Sequence, residues 1–299
     1  MDIAAPPKPP VLDLRERAFL LDIDGTLLDS HGRLPDVHRD ALAEASVRGV
    51  NVALVTGRSF HFTRHVVERL GLPLTVIVNN GAVVKERDGT TLLRHALPRD
   101  AARAVLEQTR AFEDSVAIVF DRPDVDDERQ IVYERMDWTH PQRRGYYEKN
   151  KAFIASAPSS LADALEGDDP IQVMFNGSVE PMRALVRDLR AAPMAASYSV
   201  AITEYELRDF SLVDVNAAGC SKGTTLALWA TREGYGRDEV MAVGDNLNDL
   251  EMLDFAGTPV VMGNAADVVK RARPFYVTGT NDEGGLADAI RRFALNGRT

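Results

Sequence analysis

Cysteine is almost absent from this 299-residue chain: Cys220 stands alone, so neither an internal disulfide nor a multi-cysteine zinc site is possible. A reducing compartment is the expected setting. Long apolar runs are missing too; none approaches the roughly 20 residues of a membrane helix. The opening Met1-Asp-Ile-Ala-Ala-Pro-Pro-Lys-Pro-Pro10 has neither the basic start nor the apolar centre of a signal peptide. It reads as a disordered, Pro-rich tail over residues 1–14, and the cytoplasm is the expected location. Positive charge is scarce as well: 35 Lys and Arg face 45 Asp and Glu, a net −10. That balance disfavours nucleic acid or an anionic membrane as partner and leaves a small molecule.

The composition is that of a globular protein, with 45% hydrophobic and 27% charged residues, enough for a sizeable core. Apolar runs at 17–23, 50–55 and 74–78 read as buried strands. Helical patterns at 36–48 and 64–70 separate them. This alternation predicts a parallel sheet with helices on its faces, whose binding crevice lies beyond the carboxyl ends of the strands. Asp22, Asp24, Thr56 and Asn80 fall at that edge.

From about residue 83 the pattern changes. Runs at 82–85 and 90–94 flank Asp88-Gly89, a hairpin signal. Helices near 100–112 and 181–191, with strands at 116–120, 131–134, 171–175 and 197–203, suggest a separate α+β unit. Residues 121–129 read as a charged loop. The first pattern then returns: Ser221 caps a helix, strands at 238–243 and 258–262 follow, and 274–277 is the last strand. The expected organisation is a core of 15–82 and 210–299, interrupted by an α+β insertion at 83–209.

Chemistry concentrates in four loops. Asp22-Ile-Asp24 ends the first strand, and in continued strand geometry both carboxylates point to one side. Two close carboxylates repel unless a cation is present, and a hard divalent ion such as magnesium suits them. Thr56-Gly57-Arg58 follows the second strand and offers a hydroxyl and free N–H groups at a helix start. Lys222 opens a helix and can neutralise phosphate charge. Gly244-Asp-Asn-Leu-Asn-Asp249 supplies Asp245, Asn248 and Asp249. Taken singly, each is also an ordinary turn or helix cap; four in this order, each at a strand end or the start of a helix, are poorly explained as coincident turns.

This ordered set resembles the haloacid dehalogenase superfamily, and within it the Cof-type sugar-phosphatase-like hydrolases. Asp22-Ile-Asp-Gly-Thr26, Thr56-Gly57, Lys222-Gly223 and Gly244-Asp-Asn-Leu-Asn-Asp249 match its four motifs in order. Asn79-Asn-Gly-Ala82 and Asn281-Asp-Glu-Gly-Gly285 extend the likeness. The resemblance implies an α/β fold, a Rossmann-like parallel sheet core with an inserted α+β cap domain. It implies a magnesium-dependent phosphatase acting on small phosphate monoesters. Asp22 would be the nucleophile and Asp24 the acid/base. Asp22, the Asp24 main-chain carbonyl and Asp245 would hold Mg2+. Thr56, Gly57, Lys222 and Asn248 would hold the phosphoryl group, with Asp249 behind them.

Two alternatives remain within this reading, a phosphomutase of the same superfamily and a silent binding or regulatory protein. A receiver-like signalling domain is disfavoured by Asp24 and the long insertion. In the insertion, Arg143, Arg144, Tyr146 and Tyr147 are candidates for an anionic or sugar group, although a solvated loop with packed aromatics is the simpler reading. A monomer or homodimer is expected.

Overall fold

The computed structural model describes residues 17–122, 130–157 and 159–295. The tail at 1–14 and all of the 121–129 loop except Asp121 and Arg122 lie outside them. Strand β1 (Ala18–Leu21) is followed by α1 (Asp36–Val47), β2 (Asn51–Val55), α2 (Phe60–Leu70) and β3 (Leu74–Val78). Each strand is fully or almost fully buried, as expected when helices cover both faces of a parallel sheet. Period-two alternation divides β1 cleanly. Phe19 and Leu21 join α1, α2 and the C-terminal helix on one face, while Ala18 and Leu20 face the other. Helix α2 starts at Phe60, earlier than the sequence suggests, because Phe60, Thr63, Val66, Val67 and Leu70 form one buried stripe.

After β3 comes the hairpin β4 (Val83–Glu86) and β5 (Thr91–Arg94). It turns back at Asp88-Gly89 and pairs antiparallel along β3, extending the first sheet. The hairpin therefore lies in the core sheet rather than in the insertion, where the sequence analysis had put it.

The insertion contributes α3 (Arg99–Gln108), β6 (Val116–Val119), β7 (Ile131–Tyr133), α4 (Pro141–Asn150), β8 (Ile154–Ser156), α5 (Leu161–Ala164), β9 (Gln172–Gly177), α6 (Val179–Ala191), β10 (Tyr198–Tyr205) and β11 (Phe210–Ala217). They form a six-stranded sheet in the order β10-β11-β9-β6-β7-β8. Helices α3 and α6 cover one face, meeting Ile118, Phe175, Val213 and Val215. Residues 210–217 were expected in the core, but they form β11, which pairs with β9 and β10 and so belongs to this second sheet. Residues 141–150, read from sequence as loop, form α4, with Pro141 at its first turn.

The chain then returns to the first sheet with α7 (Lys222–Arg232), β12 (Val240–Gly244), α8 (Leu250–Phe255), β13 (Thr258–Val261), α9 (Asp267–Lys270), β14 (Tyr276–Val277) and α10 (Gly285–Ile290). The order of the eight strands is β14-β13-β12-β1-β2-β3-β4-β5, parallel from β14 to β3. β1 thus sits between β12 and β2, bringing the loops after all three strands to one edge. No helix among the described residues is long and apolar enough to cross a membrane.

One buried group gives the fold a pH dependence. His38 of α1 is fully buried and donates Nδ1–H to the Leu27 carbonyl at 2.9 Å, while its Nε2 has no partner among the described residues. Burial holds its pKa below the ordinary 6.5. The unfolded chain therefore binds a proton more readily than the folded one, and stability falls as pH drops below 6.5. Urea unfolding at a series of pH values should show a shallower acid slope for His38→Leu than for the wild type; equal slopes would exclude this role.

Candidate active site

Asp22 is the first residue beyond β1, extended at φ −67, ψ 161 before the chain turns through Ile23–Leu27. Gly25 takes φ 77 there, and a Cβ on it would lie 2.3 Å from an Asp245 carboxylate oxygen. Only glycine lets the first and fourth loops approach this closely.

Lys222 begins α7, capped by Ser221, whose Oγ accepts from the Thr224 N–H. Its ammonium is almost fully buried and donates to Asp22 Oδ1 at 2.6 Å and to Asp249 Oδ1 at 2.7 Å. The other Asp249 oxygen accepts the N–H groups of Asp245 and Asn246, each at 3.0 Å. Asp249 thus accepts three hydrogen bonds, and it fixes both Lys222 and the loop that carries Asp245. Thr26 Oγ1 donates to Asp245 Oδ1 at 3.1 Å.

Carboxylate oxygens of Asp22, Asp245 and Asp249 lie within 4.8 Å of one another. Burial, only partly offset by Lys222, pushes Asp22 up to about 7. Burial and then the charges of Asp22 and Asp249 raise Asp245 well above its usual value. Lys222 is raised in turn: burial alone would lower it, but Asp22 and Asp249 outweigh that. One ammonium against three carboxylates leaves a site that suits a hard divalent cation with oxygen ligands, and the donor set fits one. Asp249, committed to Lys222 and two amides, stands behind Asp22 and Asp245.

Asp24 turns elsewhere. Its carboxylate pairs with both ends of the Arg58 guanidinium, Nε at 2.6 Å and Nη2 at 2.5 Å. The two aspartates that spacing puts on one side are close enough for Asp24 to raise Asp22 further, yet they have different partners. Thr56 is buried after β2 and its Oγ1 accepts the Arg58 N–H at 3.1 Å. Gly57 lies against Asn80, whose amide a Cβ would meet at 3.3 Å. Asn80 Oδ1 accepts from Asn248 Nδ2 at 2.9 Å. Every expected core residue, namely Asp22, Asp24, Thr56, Gly57, Lys222, Asp245, Asn248 and Asp249, lies in the loops gathered at this sheet edge or at the start of a helix that leaves it.

The inserted unit contributes Tyr146, a candidate from the sequence, and other residues that sequence reasoning left without a role. Tyr205, at the end of β10, has its pKa raised by burial and then by the charges of Asp24, Asp22 and Asp245. Tyr146 of α4 meets Phe62 edge to face, 5.2 Å between ring centres, and feels Asp214 and Arg58. Asn246 exchanges two bonds with the Glu204 main chain, at 3.0 and 3.2 Å, tying β10 to the fourth loop. Of the basic-aromatic candidates, Arg143 turns inward to Asn176 and the Asp114 carbonyl, and Tyr147 packs on Trp138. Arg58 followed Thr56-Gly57 in plain view; Tyr205 and Asp214 carried no local signal.

The profile of the haloacid dehalogenase-like hydrolases matches residues 19–290, so the chain belongs to that family. Within it, the chain is a Cof-type phosphatase, a phosphoric monoester hydrolase. It is 28% identical to the 5-amino-6-(5-phospho-D-ribitylamino)uracil phosphatase YcsE of Bacillus subtilis over 286 residues, 95% of this chain and 98% of the relative. It is 29% identical to the pyridoxal phosphate phosphatase YbhA of Escherichia coli over 289 residues, 92% and 97% of the two chains. A solved haloalkanoate-superfamily phosphatase from Bacteroides thetaiotaomicron superposes with TM-score 0.75 at 28% identity, covering 98% of this chain and 99% of that one.

Removing the central cation should expose its weight. Lys222→Met leaves Asp22 and Asp249 buried without a counter-charge, a loss of about 3–5 kcal/mol at neutral pH. Urea denaturation measures it. The deficit should shrink on acidification, since Asp22 then takes up a proton; a loss that is constant with pH would point to packing instead.

Proposed function

We propose that this protein is a magnesium-dependent phosphatase that hydrolyses small phosphate monoesters through a phosphoaspartate on Asp22. The observation that carries the reading is the buried triangle of Lys222, Asp22 and Asp249 with Asp245 alongside. Lys222 holds one Asp22 oxygen and so aims the other at an incoming phosphorus. Asp22, Asp245 and the Asp24 main-chain carbonyl would hold Mg2+, which supplies neutralisation of the phosphoryl charge when bound.

In the first step Asp22 attacks phosphorus and the ester oxygen departs with a proton from Asp24. In the second, Asp24 takes a proton from water, whose oxygen attacks phosphorus, releasing phosphate and restoring Asp22. Arg58 holds both carboxylate oxygens of Asp24 and so fixes the position from which it serves both steps. Thr56, the Gly57 N–H, Lys222 and Asn248 cradle the phosphoryl oxygens, so catalysis is chiefly positioning and charge neutralisation.

The six-stranded unit is read as a cap over the leaving group, bounded by about residues 95 and 217. The aromatic side chains of Tyr146 and Tyr205 give it a wall suited to a flat or sugar-like leaving group. The relatives named for pyridoxal phosphate and a ribitylaminouracil phosphate support an ester of this size. The lone buried thiol suits a reducing, cytoplasmic setting.

A panel of aryl, sugar and cofactor phosphates assayed with and without Mg2+ tests the reading. Phosphate release should require the metal and cease on chelation. Asp22→Asn should abolish turnover, by at least about 10³-fold, while the protein stays folded. Transfer between positions of one sugar with little free phosphate would favour a mutase; no release from any ester would overturn the proposal.

A further inference from the structure

Strand β11 places an acid behind the phosphate cradle for which the catalytic scheme has no use. Val213 and Val215 point into the helix-covered core of the second sheet. By alternation Asp214 and Asn216 face the other way, against the loop after β3. There Asn216 Nδ2 donates to the Asn79 carbonyl at 3.1 Å, and Asp214 Oδ2 accepts from Asn80 Nδ2 at 2.7 Å. Asn80 in turn accepts from Asn248 Nδ2 at 2.9 Å. Three side chains from two sheets thus form one continuous hydrogen-bonded chain, and its last member is the amide assigned above to the phosphoryl group.

We propose that Asp214 is a positioning residue, which sets through Asn80 the end of the Asn248 amide that is offered to phosphate. The inference rests on that reading of Asn248. A carboxylate only accepts, so it claims the NH2 end of Asn80. The Asn80 oxygen is left for Asn248, and this engages one N–H of Asn248 while keeping the nitrogen end, with its second N–H, in the cradle. A phosphoryl oxygen also only accepts, so this is the polarity it needs. Without the acid the Asn80 amide is free to turn over, and Asn248 would then present an oxygen.

The arrangement is costly in ways a purely structural contact does not explain. Asp214 is 3% exposed, its hydrogen-bond partner among the described residues is the neutral Asn80 amide, and burial pushes its pKa up to about 7. Lys222 is the cation whose charge offsets this. Asn80 holds φ at 53, in the left-handed region. Gly57 leaves the room its amide occupies, since a Cβ there would stand 3.3 Å from both amide atoms.

A double-mutant cycle at a pH above 7 tests the chain, reading the inhibition constant of inorganic phosphate against an aryl phosphate. Asp214→Asn should raise that constant about tenfold, the factor that one lost charge-assisted hydrogen bond carries, without lowering the melting temperature. In an Asn248→Ala background the same substitution should add nothing, because its effect runs through Asn248. An unchanged constant for Asp214→Asn, or equal rises in both backgrounds, overturns the proposal and leaves the phosphatase reading standing. If Asn248→Ala itself leaves phosphate binding unchanged, the assignment of Asn248 falls, and this inference with it. Should Asp214→Asn fail to fold, Asn80→Gly, compatible with the positive φ, cuts the chain at its middle and runs the same cycle with the same outcomes.

Discussion

A single buried ammonium holds this site together. Lys222 lies at the start of α7 and reaches Asp22 from the first loop and Asp249 from the fourth, three segments far apart in sequence. Desolvating a lysine is costly, and only two close carboxylates make it favourable. The same pairing answers the opposite problem, because neither carboxylate is tolerable there without it. Asp249 passes the constraint onward through two main-chain N–H groups to the loop that carries Asp245. Geometry at Asp22 and at the Asp245 loop therefore descends from one charge.

That charge does not balance the site. Asp22 and Asp245 remain raised in spite of Lys222, so the acids keep an electrostatic demand for a further cation. A site built for stability alone would exchange such a cluster for apolar contacts. Such a cluster marks a functional site, and its excess of negative charge suits a cation.

The second sheet is joined to this site by polar contacts as well as by apolar ones such as Tyr146 on Phe62. Asn79 donates to Gln172 and takes Asn216 on its carbonyl, Asn80 meets Asp214, and Asn246 clasps the main chain of Glu204. Directional bonds of this kind fix register and orientation more than they add stability. They tie β10 and β11 to the loops that carry Asn79, Asn80 and Asn246.

How much of this was legible beforehand follows from the range of each interaction. Strand ends, helix stripes and the motif residues Asp22, Asp24, Thr56, Lys222 and Asp245 are local signals, because burial periodicity and turn chemistry act over a few residues. The edge to which they converge follows from parallel topology. The membership of β4, β5 and β11 was misread, since an apolar alternating strand suits either sheet and pairing partners are chosen by tertiary packing. Asp24 with Arg58 and Asp214 with Asn80 span 34 and 134 residues and leave no trace in spacing. The chain by itself determined a parallel α/β core with four acid-, hydroxyl- and lysine-bearing loops at one edge. Only the tertiary structure decided which carboxylate each cation holds and which cap residues face them, because those choices are made by distance and burial between segments that share no local sequence.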